Sequence, residues 1–228
     1  MNPPDDAWAR RARSDGAVLP IDVERECVQR AAQGDSEAIG HLYDAYVEPL
    51  YRFCLSRVAN ETDAEDLTEE IFLKVMRGID RFEWRPLPAT RSPGANSTTG
   101  APGDFEERSP FRAWLFRIAR NHLVSHYRRE SLRTSAGEVP EWVTDDRRGP
   151  QELAEMRLTI DEVFAAVEQL PPAQRDVIRL RFGAGLSVQE TAEALEKQPT
   201  NVKVLQHKAV KRLKEILVGA DAVSPEPE

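Results

Sequence analysis

The chain is poor in several things that would fix its chemistry at once. Only two cysteines occur among its 228 residues, Cys27 and Cys54, in no CxxC pairing, which excludes a disulfide or zinc framework. Long apolar runs are missing too: the longest are a few residues, such as Val163 to Val167, far below the roughly 20 needed to span a bilayer. The start of the chain carries Asp5 and Asp6 and no basic stretch leading into an apolar one, so no secretory signal is expected and the protein is placed in the cytoplasm without membrane insertion. No P-loop, dinucleotide glycine fingerprint or nucleophile elbow occurs, and the expectation is a non-enzyme with no cofactor. With 40% hydrophobic residues the chain can bury apolar surface, and its length fits two compact domains with small cores better than one large one.

What is abundant is charge, 31 Lys plus Arg against 39 Asp plus Glu, for a net of -8. Partners sense charge locally, because exposed fields are screened within about 10 Å at ordinary salt. From Phe111 to Arg133 six arginines oppose Glu130 alone, about +5. From Pro199 to Leu217 four lysines and Arg212 oppose Glu215, about +4. From Glu61 to Glu70 six carboxylates face no base, about -6. Three separate surfaces follow, two cationic and one anionic.

Apolar periodicity makes the fold all-α. Residues 1–20 are polar, aperiodic and read as a disordered tail. After the Gly34-Asp35 start signal, Ile39, Leu42, Tyr46, Leu50, Phe53 and Val58 recur at helical steps, with Pro49 expected to kink or restart the helix. Thr62 to Glu65 fits a capping box for a helix ending near Asp80. Residues 86–110 hold 14 Pro, Gly, Ser or Thr in 25 positions and read as a flexible insertion. A basic amphipathic helix from Phe111 closes a first domain spanning 21–130, and residues 131–152 read as a linker. A second domain, 153–217, contains a helix stopped by Leu170-Pro171-Pro172, a helix from Ala173 to Phe182, a capping box at Ser187 to Glu190, a tight turn and a last basic helix; 218–228 is a tail. Short helix, turn and longer basic helix make a helix-turn-helix pattern, although the turn Glu196-Lys197-Gln198 lacks the expected Gly.

Each constellation has a plainer reading. Lys203, Lys208, Lys211 and Arg212 could be a solvated face, but the capped helix before them favours a groove-reading helix. Trp114, Phe116 and Tyr127 interleave with Arg112, Arg117, Arg120 and Arg128; aromatics beside cations bind unstacked bases, while Trp114 and Tyr127 taken singly fit a core role. The acidic run Glu61 to Glu70 lies along one helix, unlike the converging ligands of a hard cation, leaving a solvated helix start or a docking surface for a basic partner. His122 and His126 have the spacing of a zinc pair, without the Glu of a metalloprotease helix between them, and a zinc site is rejected.

The arrangement resembles the extracytoplasmic-function group of the sigma-70 family, initiation factors of bacterial RNA polymerase. The resemblance runs through GDSEAIGHLYDAYVEPLYRFCL, DAEDLTEEIFLKVMRGIDRF, FRAWLFRIARNHLVSHYRRE and LPPAQRDVIRLRFGAGLSVQETAEAL, covering roughly Asp22 to Leu217 apart from loop and linker. It implies two helical domains, a sigma region 2 bundle and a sigma region 4 helix-turn-helix. It implies that Asp66, Glu69, Glu70, Phe72 and Leu73 bind core RNA polymerase at its beta-prime clamp helices, with the beta subunit also a partner. Trp114, Arg117, Arg120, Asn121 and Arg128 are implied to engage the melted minus-ten promoter element. Thr200, Asn201, Lys203, His207, Lys208, Lys211 and Arg212 are implied to read the minus-thirty-five element and hold its phosphates. An anti-sigma factor is the implied regulator.

The sequence departs from the family at Glu69, where Gln is usual, at the lengthened 86–110 segment, and at the recognition turn, where Leu205-Gln206 replaces a more usual polar-basic pair. The insertion is either an inert excursion or a contact for DNA or a regulator. Two rivals remain beside the sigma reading: a helix-turn-helix repressor whose first domain senses a ligand, and a nucleic-acid enzyme using the acidic cluster, Asp66 included, with a divalent metal.

Overall fold

The computed structural model describes residues 19–58, 60–87, 108–134 and 162–221, and every element among them is helical. Helix α1 (Ile21–Ala31) buries Val23, Cys27 and Val28. It turns at Gly34, whose φ of 86° suits a residue without a Cβ. Asp35 then caps α2 (Ser36–Leu55), accepting from the N–H groups of Glu37 at 3.0 Å and Ala38 at 3.2 Å. Arg30 also donates to Asp35 at 2.8 Å, and that bond with the amides holds the carboxyl below its ordinary value.

The helix does not restart at Pro49: α2 runs through it to Leu55. Proline removes one amide donor, whereas Tyr46, Leu50, Phe53 and Cys54 on the flanking turns are buried and hold the helix to its neighbours. Helix α3 (Glu61–Gly78) begins two residues earlier than the Thr62 capping box requires. Asn60 is the cap instead, extended at φ -132° and accepting from the Asp63 N–H at 2.7 Å. A 3-10 turn (Ile79–Arg81) ends this helix as expected, near Asp80.

Helix α4 (Pro110–Thr134) follows, with Ser109 Oγ accepting the Arg112 N–H at 2.7 Å. Most of the expected insertion, residues 88–107, lies outside the described residues, as do residues 135–152 of the linker and the tails 1–18 and 222–228. Residues 153–161 of the second domain also lie outside the described residues, and the described part of that domain opens on a helical run, α5, over residues 162–168. Pro172 occupies the first position of α6 (Pro172–Ile178), where its missing N–H costs nothing. The expected helix to Phe182 loosens after Ile178 into a π-helical turn (Arg179–Gly183). Gly185, at φ 67°, reverses the chain. Helix α7 (Val188–Ala194) carries the predicted capping box, Ser187 and Glu190 each accepting the other's backbone N–H. The last helix, α8 (Pro199–Asp221), extends past the expected end at Leu217.

Two helical modules are thus present, but their main core is continuous. Leu42, Phe53, Ile71, Phe111, Phe116 and Leu123 of the first share one buried cluster with Val177, Leu180, Leu186 and Val202 of the second. A small satellite of Val167, Leu170, Ile178 and Ala209 sits under α8. Chain length alone favours two separate small cores; α4 and the α6–α7 corner instead bury apolar side chains against each other, removing more apolar area from water than either module could alone.

Candidate nucleic-acid interface

The anionic surface is the outer face of α3. Asp66, Glu69, Glu70 and Leu73 are exposed, Leu73 at 55%. Phe72 turns inward instead, with its ring edge-on to Tyr43 at 5.0 Å between centroids. It anchors α3 on α2 beneath the exposed carboxylates, because the helical period places it with Ile71 and Val75 on the buried face. His122 of α4 closes one edge, its Nε2 3.0 Å from Glu70 Oε2. A carboxylate can only accept, so Nε2 carries the hydrogen. Burial holds His122 below the ordinary imidazole value, and the Glu70 bond opposes that shift.

On α4, Trp114 is half-buried and tilted onto Phe82 at 5.0 Å and Phe111 at 5.8 Å. With Phe82, Arg85 and Arg117 it lines a cleft of about 390 Å³. Asn121 and Arg128 are exposed. Arg112 is not part of this surface: it is buried and donates to the Ala184 carbonyl at 2.7 Å. Tyr127 stays 38% exposed, its phenol raised chiefly by partial burial.

Arg117 and Arg120 meet carboxylates of the second module. Arg117 Nη2 lies 2.7 Å from Glu193 Oε1, and its Nη1 lies 3.6 Å from Glu196. Arg120 Nε donates to Asp176 Oδ2 at 2.9 Å, while the other oxygen of Asp176 takes Arg57 at 2.5 Å. Asp176, Glu193 and Arg57 carry no linear signal that marks them for this site, since their partners lie 56 to 119 residues away.

The second cationic surface is α8. Thr200, Asn201, Lys203, His207, Lys208, Lys211 and Arg212 are all exposed. Val202 and Ala209 are fully buried and fix the helix on its opposite face. The turn before α8 does contain a left-handed residue, Glu196 at φ 53°, so the geometry is reached without Gly. Gln206 plays a structural part, since its Oε1 accepts from Arg181 Nε at 3.1 Å and ties α8 to the π-helical turn. No group of three or more metal-ligating side chains occurs among the described residues. No helix among them is long and apolar enough to cross a membrane.

Residues 42–90 match the profile of Sigma-70 region 2, and residues 166–215 that of Sigma-70, region 4. The chain is 34% identical over 194 residues to the ECF RNA polymerase sigma factor BldN of Streptomyces coelicolor, spanning 84% of this chain and 65% of that protein. It thus spans just under two thirds of that relative. It is 32% identical over 178 residues to the ECF RNA polymerase sigma factor SigX of Bacillus subtilis, 76% of this chain and 80% of that one. Among solved structures, CnrH in complex with the cytosolic domain of CnrY superposes with a TM-score of 0.59 at 25% identity, over 88% of this chain and 99% of that one.

Proposed function

We propose a function for this chain from one premise: it belongs to the extracytoplasmic-function group of RNA polymerase sigma factors, in the sigma-70 family. As such it serves promoter-specific transcription initiation. The finer reading is that it docks on core RNA polymerase through α3, engages a melted minus-ten element through α4, and reads the minus-thirty-five element through α8. The observation that carries it is the helix-turn-helix: α7, a left-handed turn at Glu196, and α8 with all seven assigned DNA-contacting residues exposed, while Val202 and Ala209 are buried on its other side.

Lys203, His207 and Lys208 lie along the face that would enter a major groove, while Lys211 and Arg212 meet phosphates further along. On α4, Asn121 offers both a donor and an acceptor to a base edge. Trp114 and the arginines offer stacking faces and charge to unpaired nucleotides. Extruding a base costs a few kcal/mol, which the cationic contacts offset. Two DNA-binding modules on one chain raise each other's effective concentration on a single promoter. On α3, Asp66, Glu69, Glu70 and Leu73 present an acidic rim around an apolar contact, suited to a basic partner surface on polymerase. The CnrH structure holds the cytosolic domain of CnrY, which supports a protein partner for this chain as well, and an anti-sigma factor is the partner proposed.

The test combines the purified chain, core polymerase and a random promoter library, with start sites mapped by sequencing the run-off transcripts. Transcripts sharing two upstream elements are expected. Leu73→Ala should lower polymerase affinity without altering the recovered sequence, whereas Lys203→Ala with His207→Ala should relax only the upstream element. Failure of the wild-type chain to confer start-site selection overturns the reading.

A further inference from the structure

Helix α8 carries one apolar residue in the middle of the face assigned to DNA. Val204 is 52% exposed, although the helix buries Val202, two residues before it, and Ala209 completely. Successive helical residues turn by about 100°, so Val204 stands about 200° round from Val202, on the side away from the core. Thr200, His207, Lys208 and Lys211 share that stripe, at four residues before and three, four and seven after, and all are exposed. Val204 also lies within the first two turns of α8, the part of a recognition helix that meets base edges.

The orientation of this face is fixed from two sides. Val202 and Ala209 seat α8 in the core, and the bond from Arg181 Nε to Gln206 Oε1 at 3.1 Å holds its flank to the π-helical turn. Thr200, Asn201 and Val204 have short side chains, which let the backbone come close to the floor of a groove, and the longer Lys203 and Lys208 flank them. Helix propensity does not account for the valine, because a β-branched side chain facing solvent is less favourable in a helix than Ala, Lys or Arg. Hydrogen-bond readout does not account for it either, since its side chain has no donor and no acceptor. In the major groove the apolar feature that a base pair presents is the C5-methyl group of thymine. The lysines supply donors suited to guanine O6 and N7, so Val204 adds a different discrimination to theirs.

Resting on the sigma reading above, we propose that Val204 is a specificity-determining residue of the minus-thirty-five contact, where its side chain packs against the C5-methyl group of one thymine. Withdrawing one methyl group from water corresponds to about fourfold in affinity, which is the expected preference for thymine over the same base without its methyl.

The test uses the full chain bound to core polymerase. The upstream element recovered by start-site sequencing is placed on one duplex promoter, and each of its thymines, on either strand, is replaced singly by uracil, which lacks only the C5-methyl. Competition binding gives the uracil-to-thymine ratio within each variant, so changes in overall affinity cancel. Wild type should lose about fourfold at one thymine, and in Val204→Ser that loss should fall below about twofold. Val204→Ile keeps an apolar side chain and should keep the penalty. Val218→Ala removes another exposed valine, 68% exposed and further along α8, and should keep it too. The inference is overturned by an element with no thymine on either strand, by no thymine with a wild-type loss of about twofold or more, or by a penalty that persists in Val204→Ser. Disappearance of the penalty in Val204→Ile or Val218→Ala overturns it as well. In each of these cases wild-type start-site selection still stands, whereas its absence sinks the sigma reading itself.

Discussion

Glu190 accepts the backbone N–H of Ser109, 81 residues earlier, at 2.9 Å, while also closing the capping box of α7 on Ser187 at 2.7 Å. One buried carboxylate therefore starts two helices: α4, which carries the proposed minus-ten contacts, and α7, which precedes the proposed recognition helix α8.

Glu190→Ala should be the more damaging of two capping variants. It leaves two buried N–H donors without an acceptor, at about 2–3 kcal/mol in all, whereas Ser187→Ala loses one cap bond at about 1 kcal/mol. Urea unfolding of both variants checks the order; equal losses would mean that the Ser109 bond contributes nothing.

Pro49→Ala should stabilise the chain. The substitution restores a helical N–H donor in the middle of α2, which already follows a helical path there, and the gain should be about 1–2 kcal/mol. A higher melting temperature with the circular dichroism spectrum unchanged is the expected result.

Two left-handed positions should respond in opposite ways to a change at Cβ. At Gly185, φ 67°, an added Cβ meets Arg112 Nη2 at 3.3 Å, so Gly185→Ala should cost about 1–2 kcal/mol or more. At Glu196, φ 53°, Glu196→Gly relieves a similar strain while adding backbone freedom to the unfolded chain, for a net gain of about 0.5–1 kcal/mol. Denaturant midpoints of the two variants should move in opposite directions.

His122 should titrate below 6.5, its ordinary value, because burial disfavours the imidazolium more than Glu70 favours it. With the folded value depressed, its contribution to stability is full above pH 6.5 and is lost as pH falls through the lower folded value. His122→Gln should flatten that acid-side loss. NMR titration of the ring protons together with unfolding at about pH 7.5 and 5 measures both, and a midpoint above the ordinary value would reverse the sign.

The legible part of the fold follows local rules. Asp35 caps its helix because Gly34 before it can turn left-handed, and Ser187 with Glu190 forms a box because both partners lie within one turn. Helical periodicity places Leu42, Phe53 and Ile71 in the core and Lys203, Lys211 and Arg212 on the surface. The same period puts Phe72 inward beside Ile71, against the contact role that the family resemblance implies for it. At Pro49 the helix continues without a restart because a local rule about lost hydrogen bonds is outweighed by packing on both sides of it.

The sequence by itself determined the helices, the sign of charge on α3, α4 and α8, and the family, because each depends on residues within a few turns of one another or on motifs read in order. Only the tertiary structure decided which cations of α4 face solvent. Arg112 is buried against Ala184, and Arg117 and Arg120 are claimed by Glu193 and Asp176, because ion pairing depends on distance in space and these partners lie more than 50 residues apart along the chain.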